Sequence, residues 1–327
     1  MEGPAQAWAA RALVAAAALA APVALVSPLA IAPLFVVAAL ASLPCFLATR
    51  AWRDASPGLV ALLAAGLAWA GASALWAIDP PRVATSLPPI ALSAVGGLCL
   101  LALARRLPPA AAARVVSALA AGLAVALALL SVEAGARYAG LVETPHAAIL
   151  RLLGRGYDPA VLNRATTVAA ITCWIAAASI ARRKGIARAA ILPLWTIALL
   201  PAFSSQAAIL GWCAGAACAA AASLAPRLAR MALPVGIAAG FALMPAIPNW
   251  APFRDHFADR GLAGSVWHRA EIWSFVAERI AERPLLGWGL DSSRNIPGGR
   301  GQVGLNIEQL PLHPHNGVLQ LWLELGA

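Results

Sequence analysis

The sequence is short of charge. Only 12% of its 327 residues are Asp, Glu, Lys or Arg against 61% hydrophobic, and the mean hydropathy is +0.77. No soluble domain of this length needs so little charge, so the chain reads as an all-α, polytopic membrane protein. Cysteine is sparse and poorly placed for chemistry. Cys45, Cys99, Cys173, Cys213 and Cys218 all fall inside apolar runs without C-x-x-C spacing, which argues against disulfides and metal sites and leaves them as small hydrophobes. There is no G-x-x-x-x-G-K-[ST] segment, no dinucleotide-binding glycine set and no repeat with a period of about 20–50 residues. Nothing implies a cofactor. The net charge is +10, but the arginines are dispersed over short connections instead of one basic face. Topology explains most of them, and nucleic acid is not implied. A cleaved leader is not expected either, since no basic residue precedes Arg11 and no A-x-A site precedes a soluble region.

What is present is apolar helix. Spans are expected at 7–27, 28–48, 58–77, 88–104, 115–132, 165–181, 189–203, 207–224 and 231–249, with a tenth opening at His315. The heavy use of alanine suits helices in close contact through small residues. With the N-terminus in the cytoplasm, every second connection is basic: Arg50/Arg53, Arg105/Arg106/Arg114, Arg182/Arg183/Lys184/Arg188 and Arg227/Arg230, with Asp54 the only acid among them. The opposite side takes nearly all the acids and all five histidines. It holds a loop at 133–164, carrying Glu133, Arg137, Glu143, His146, Arg151, Arg155, Asp158 and Arg164, and one large polar loop at 250–314. The organisation is therefore 1–249, nine spans with short loops; 250–314, the outer loop; and 315–327, the start of the tenth span. A helix stopping at Ala327, mid-bilayer, would leave carbonyls unsatisfied in hydrocarbon, so further C-terminal spans are expected to be missing.

The outer loop carries an amphipathic helix over 268–283, with Ile272, Phe275, Val276 and Ile280 on one stripe and Pro284 ending it. Arg269 sits in its first turn, where the helix dipole disfavours a cation, which suggests a task other than helix stability. Gly287 and Gly289 turn the chain, and Trp288 between them is expected to anchor at the interface. In the final stretch Pro314 biases His313 away from helix, so the last helix starts at His315 or Asn316. Asn316, Gln320 and Glu324 then share one face. Glu324 lies about 13 Å along that helix at 1.5 Å per residue, where a carboxylate faces a cavity or a partner.

Three motifs in order, Arg269-x-x-x-Trp273, Pro284–Gly289 (P-L-L-G-W-G) and His313–Gly326 (H-P-H-N-G-V-L-Q-L-W-L-E-L-G), resemble the O-antigen ligase/polymerase superfamily. The last matches that family's His-Asn-x9-Gly pattern at His315, Asn316 and Gly326. The likeness extends in layout over most of the chain, with a ligase-related domain from about 160 to 327. It implies a metal-independent membrane glycosyltransferase of the bacterial inner membrane with its active site facing the periplasm. The glycan would pass from undecaprenyl pyrophosphate to a sugar hydroxyl, on lipid A-core for a ligase or on a second lipid-linked glycan for a polymerase. On this likeness His315 is the general base and Arg269 binds pyrophosphate. The family's second arginine corresponds to the site Ser204-Ser205-Gln206, where Gln206 replaces it; Arg164 could substitute. His313, Asn316, Gln320 and Glu324 support the site.

Plainer readings stand beside these. His315 could be an interfacial capping residue, Arg269 could pair with Glu271 or reach for headgroups, and Gln320 and Glu324 could only bridge helices. His313 and His315 could form a metal pair, but no third ligand has suitable spacing. A lipid-linked-sugar flippase would place ionisable residues deep in many spans and pair broken helices in two halves. Here the early spans are nearly free of charge, which favours an enzyme over a flippase or a non-catalytic assembly protein.

Overall fold

The computed structural model describes residues 4–141, 143–154, 156, 159–203, 205–258, 265–304 and 307–327; Arg155, Asp158 and Ser204 lie outside them. Its helices are α1 Pro4–Val26, α2 Ile31–Ala48, α3 Pro57–Ala72, α4 Pro80–Ala104, α5 Pro109–Tyr138, α6 Pro145–Leu152, α7 Pro159–Lys184, α8 Ile186–Leu199, α9 Gln206–Leu224, α10 Pro226–Leu243, α11 Ala251–Ala258, α12 Ser265–Glu282 and α13 Gly317–Leu325. A two-stranded antiparallel ribbon, β1 Gln302–Gly304 with β2 Ile307–Glu308, precedes α13. Among the described residues nine segments are long and apolar enough to cross a membrane, from Pro4–Val26 to Pro226–Asn249. The chain is an all-α, multi-pass membrane protein.

Proline opens α1, α3, α4, α5, α6, α7 and α10. Its missing N–H is one that a first turn leaves unpaired anyway, and its fixed φ already suits a helix. This displaces the expected boundaries. The fourth span starts at Pro80, about two turns before residue 88, and continues through Pro88 and Pro89. The fifth runs on to Tyr138, about 45 Å at 1.5 Å per residue, well past the roughly 30 Å of a hydrocarbon core. Glu133, Arg137 and Arg164, expected in a loop, are therefore helical, and α6 occupies part of the stretch between them.

The chain divides into two compact units. The first comprises Met1–Ala55 and Gly96–Arg230. Its core joins α1, α5, α7 and α8 through Ala24, Leu123, Leu127, Ala169, Cys173, Ala176 and Leu192. Small residues let the backbones approach: a Cβ on Gly122 would lie 2.0 Å from the Ala18 carbonyl oxygen. At one end of this unit Glu133 is buried at 3% exposure. Its carboxylate accepts the His146 backbone N–H (3.0 Å) and the Arg137 guanidinium (3.1 Å), and Arg137 lies 5.1 Å over the Phe203 ring. A carboxylate in this position survives because each oxygen has a donor.

The second unit, Ser56–Val95 with Met231–Ala327, is built around α12. The expected stripe is its buried face: Ile272, Phe275, Val276 and Ile280 are 0–7% exposed and pack against Leu310, Leu319 and Leu323. Each such side chain contributes about 1.5–3 kcal/mol when removed from water. Trp288 departs from expectation. It is a core residue, 6% exposed, with its indole N–H donating to the Arg279 carbonyl (2.9 Å) and Arg283 stacked 4.1 Å over its ring. Its polar edge finds a protein acceptor, so it does not need the bilayer interface.

Candidate active site

The site forms where the first turns of α12 meet the segment leading into α13. Arg269 and Trp273 are one turn apart and share a face of α12. The Trp273 indole N–H donates to the Pro314 carbonyl at 2.9 Å, with Phe253 stacked on the same ring. That bond holds the His313–Asn316 segment against α12 and explains the R-x-x-x-W spacing: the tryptophan fixes the segment next to which the arginine stands.

The helix begins later than expected. Asn316 is the N-cap, its Oδ1 accepting from Val318 N (3.0 Å) and Leu319 N (3.2 Å), so α13 opens at Gly317 and His315 stays outside it. His315 is exposed, with φ +53°, a left-handed backbone that L residues seldom adopt. Its imidazole lies 4.4 Å from that of His313. Crowding by the protein lowers the His315 pKa below the ordinary histidine value, and the charges of His313, Arg269 and His268 lower it further. Both influences favour the neutral imidazole over the imidazolium. Among the described residues no carboxylate forms a salt bridge with Arg269, so the Glu271 pairing does not occur. His268, which the sequence reading passed over, joins α12 to the ribbon through its ring Nε2 and the Glu308 carbonyl (2.9 Å).

Behind this front lies a polar brace. Glu324 is 4% exposed. Its carboxylate accepts the Asp291 backbone N–H (2.9 Å), the Ser293 hydroxyl (2.5 Å) and the Gln320 amide (3.1 Å). The shared face of Gln320 and Glu324 therefore looks inward and ties α13 to the loop at 287–295. Asp291, itself left-handed, accepts from Ser86 and lies 3.5 Å from Arg82 and 3.4 Å from Arg294. Backbone pairing closes the junction, Trp288 N to Leu323 O (2.9 Å) and Gly289 N to Glu324 O (2.8 Å). The motif glycines are required by this proximity. A Cβ on Gly287 would lie 2.5 Å from the Glu324 carbonyl, and one on Gly326 would lie 2.2 Å from that of Leu285, both at positive φ.

Of the predicted residues, the second unit brings together Arg269, His313, His315 and Asn316 at the front, with Gln320 and Glu324 as the brace. Arg164 and Gln206 belong to the first unit. Both are exposed, and the Ser205 hydroxyl donates to the Asn163 carbonyl (3.3 Å), so the two occupy neighbouring helix starts.

Residues 189–327 match the O-antigen ligase family, a segment that contains every predicted site residue except Arg164. The chain is 30% identical over 187 residues to a Rickettsia prowazekii protein named as a polysaccharide ligase, with 55% of this chain and 46% of the relative covered. A Rickettsia felis protein of the same name shows the same identity and coverage, and one from Rickettsia conorii is 30% identical over 184 residues, 54% and 44%. The chain thus spans less than half the length of these curated relatives. No solved structure matches it.

Proposed function

From a chain whose residues 189–327 match the O-antigen ligase family, we propose a membrane glycosyltransferase that moves a lipid-linked glycan onto an acceptor sugar hydroxyl. The observation that carries this reading is an imidazole, His315, whose pKa is lowered by burial and by neighbouring charge, Arg269 included, while among the described residues no carboxylate forms a salt bridge with that guanidinium. His315 takes the proton of the acceptor hydroxyl as its oxygen bonds to the anomeric carbon of the donor. The bond from that carbon to the pyrophosphate breaks, and the leaving group departs with the electron pair. Arg269 stabilises the charge that gathers there, by paired hydrogen bonds from a planar donor set.

The donor in this reading is a glycan on undecaprenyl pyrophosphate, and the acceptor is lipid A-core. The setting is the bacterial inner membrane with the site facing the periplasm. The alternation of basic connections supports that orientation.

The test is His315→Ala in the full-length protein, in cells lacking the native copy. Loss of polymer on lipid A-core, with lipid-linked chains accumulating and membrane abundance unchanged, is the expected outcome. Capping by a single repeat would instead indicate a polymerase acting on a second lipid-linked glycan. Transfer at the parental level would remove His315 as the base.

A further inference from the structure

We propose that His313 is the positioning residue for His315, and that it acts only while its Nδ1 carries no proton. The inference rests on the glycosyl-transfer reading and assigns a second histidine to that site. A left-handed backbone is unfavourable for a residue bearing a Cβ, so the pose of His315 needs something to hold it. The structure supplies three ties. The His315 backbone N–H donates to Nδ1 of His313 at 3.2 Å, across the intervening proline. Pro314 has its own φ set by its ring, and its carbonyl is held by Trp273 at 2.9 Å. Asn316 caps the helix that follows.

The first tie has the form of an Asx turn, in which a short side chain accepts the N–H two residues on. Asn or Asp is the usual residue for that turn. A histidine makes the same bond only through an unprotonated Nδ1, so neutral His313 carries its proton on Nε2. A second proton at Nδ1 would turn the acceptor into a donor facing a donor, and the bond would be lost. The His313 ring has titratable and charged neighbours. Arg269 and His268 project from α12, and His315 faces it edge-on at 4.4 Å. Glu308 of the ribbon meets His268 through its carbonyl, and Glu324 of α13 is turned to the loop at 291–293. Imidazole is the side chain that changes charge between about pH 5 and 8. Acid then disables the site twice, by protonating the base and by releasing its backbone.

The experiment measures initial rates of transfer from the cell's own lipid-linked glycan, by full-length protein in membranes, between pH 5 and 8. The parent should lose activity in acid with a slope of log rate against pH steeper than one. His313→Asn keeps an acceptor in the same place without a titrating group. It should stay within about threefold of the parent at pH 8 and show a slope of one. His313→Gln puts its amide one bond too far and should fall about tenfold or more, mainly in kcat. Nitrogen spectra of the histidine rings in detergent-solubilised protein give a readout independent of turnover. At pH 8 they should show an unprotonated Nδ1 at residue 313. A protonated Nδ1 there, or Asn and Gln variants equally impaired, would overturn the positioning role. If His315→Ala turns over at the parental rate, the transfer reading itself fails, whatever the spectra show.

Discussion

The two units of this chain are held together by different means. In the first, small residues let helix backbones meet beside buried leucines: Ala24, Ala170 and Ala176 are fully buried, and Gly122 lets α5 lie against the Ala18 carbonyl of α1. In the second, the functional end of the fold hangs on single polar bonds, each with a named donor and acceptor, such as Trp273 to Pro314 and Ser293 to Glu324. Dispersion between smooth helix faces tolerates many sequences provided no side chain is too large. A directional bond tolerates few. The consequence is that substitutions in the bundle should act on folding, while those near α13 should act on activity first.

The largest effect tests that division on two glycines. Gly122→Val should prevent stable accumulation in the membrane, because the 2.0 Å approach leaves α1 and α5 nowhere to move. Gly287→Ala meets the Glu324 carbonyl at 2.5 Å and imposes a left-handed φ on a residue with a Cβ. It should insert normally and lose most transfer activity. Immunoblots of membranes beside a glycan gel separate the two outcomes, and equal abundance of both variants would erase the contrast.

Glu324→Ala comes next. It leaves the Asp291 N–H, the Ser293 hydroxyl and the Gln320 amide without their acceptor in a buried place, at about 1–3 kcal/mol for each group left unpaired. The expected result is a melting temperature several degrees lower in detergent together with reduced turnover. Glu324→Gln, which keeps one acceptor oxygen, should fall between the variant and the parent. A parental melting temperature for Glu324→Ala would mean the brace contributes nothing.

How much of this was open to sequence reading depended on range. The His315-Asn316 pair, the i, i+4 spacing of Arg269 and Trp273, and the apolar stripe of α12 are local patterns, and each led to a residue found in place. The brace is not local. Glu324 is 33 residues from Asp291 and 31 from Ser293, and no periodicity announces their meeting. Trp288 was misread because an interfacial and a buried tryptophan look alike until the acceptor of the indole N–H is known. Glu133 looked like the end of a span because a carboxylate usually is; its donors, Arg137 and the His146 N–H, are evident only once α6 folds back. The left-handed turn at His315 had a partial signal in H-P-H, since a proline between two histidines restricts the backbone, but the sequence does not say which ring accepts which N–H.

Trp273→Phe is a milder probe of the polar end. It keeps the ring packed against Phe253 and removes one hydrogen bond, about 0.5–1.5 kcal/mol. If the bond serves to place His315, kcat should drop roughly three- to tenfold with little change in abundance or in melting temperature. An equal drop in abundance would return Trp273 to the packing class.

The smallest expected effect lies in the acid limb of the rate. His315 acts as a base only when neutral, so activity falls as pH drops through its pKa. That pKa is already lowered by crowding and, to a lesser degree, by His313, Arg269 and His268. Removing one of these contributions should raise the pKa and move the limb toward higher pH. His268→Gln is the useful case, because a glutamine amide can still reach the Glu308 carbonyl that the ring contacts at 2.9 Å. Its rate at pH 8 should stay within about twofold of the parent, and its acid limb should shift upward by a fraction of a pH unit. An unmoved acid limb would mean that His268 lies too far from His315, or too well screened, to be felt. The polar end of the second unit would then be held by its bonds alone, with no part played by the field of its cations.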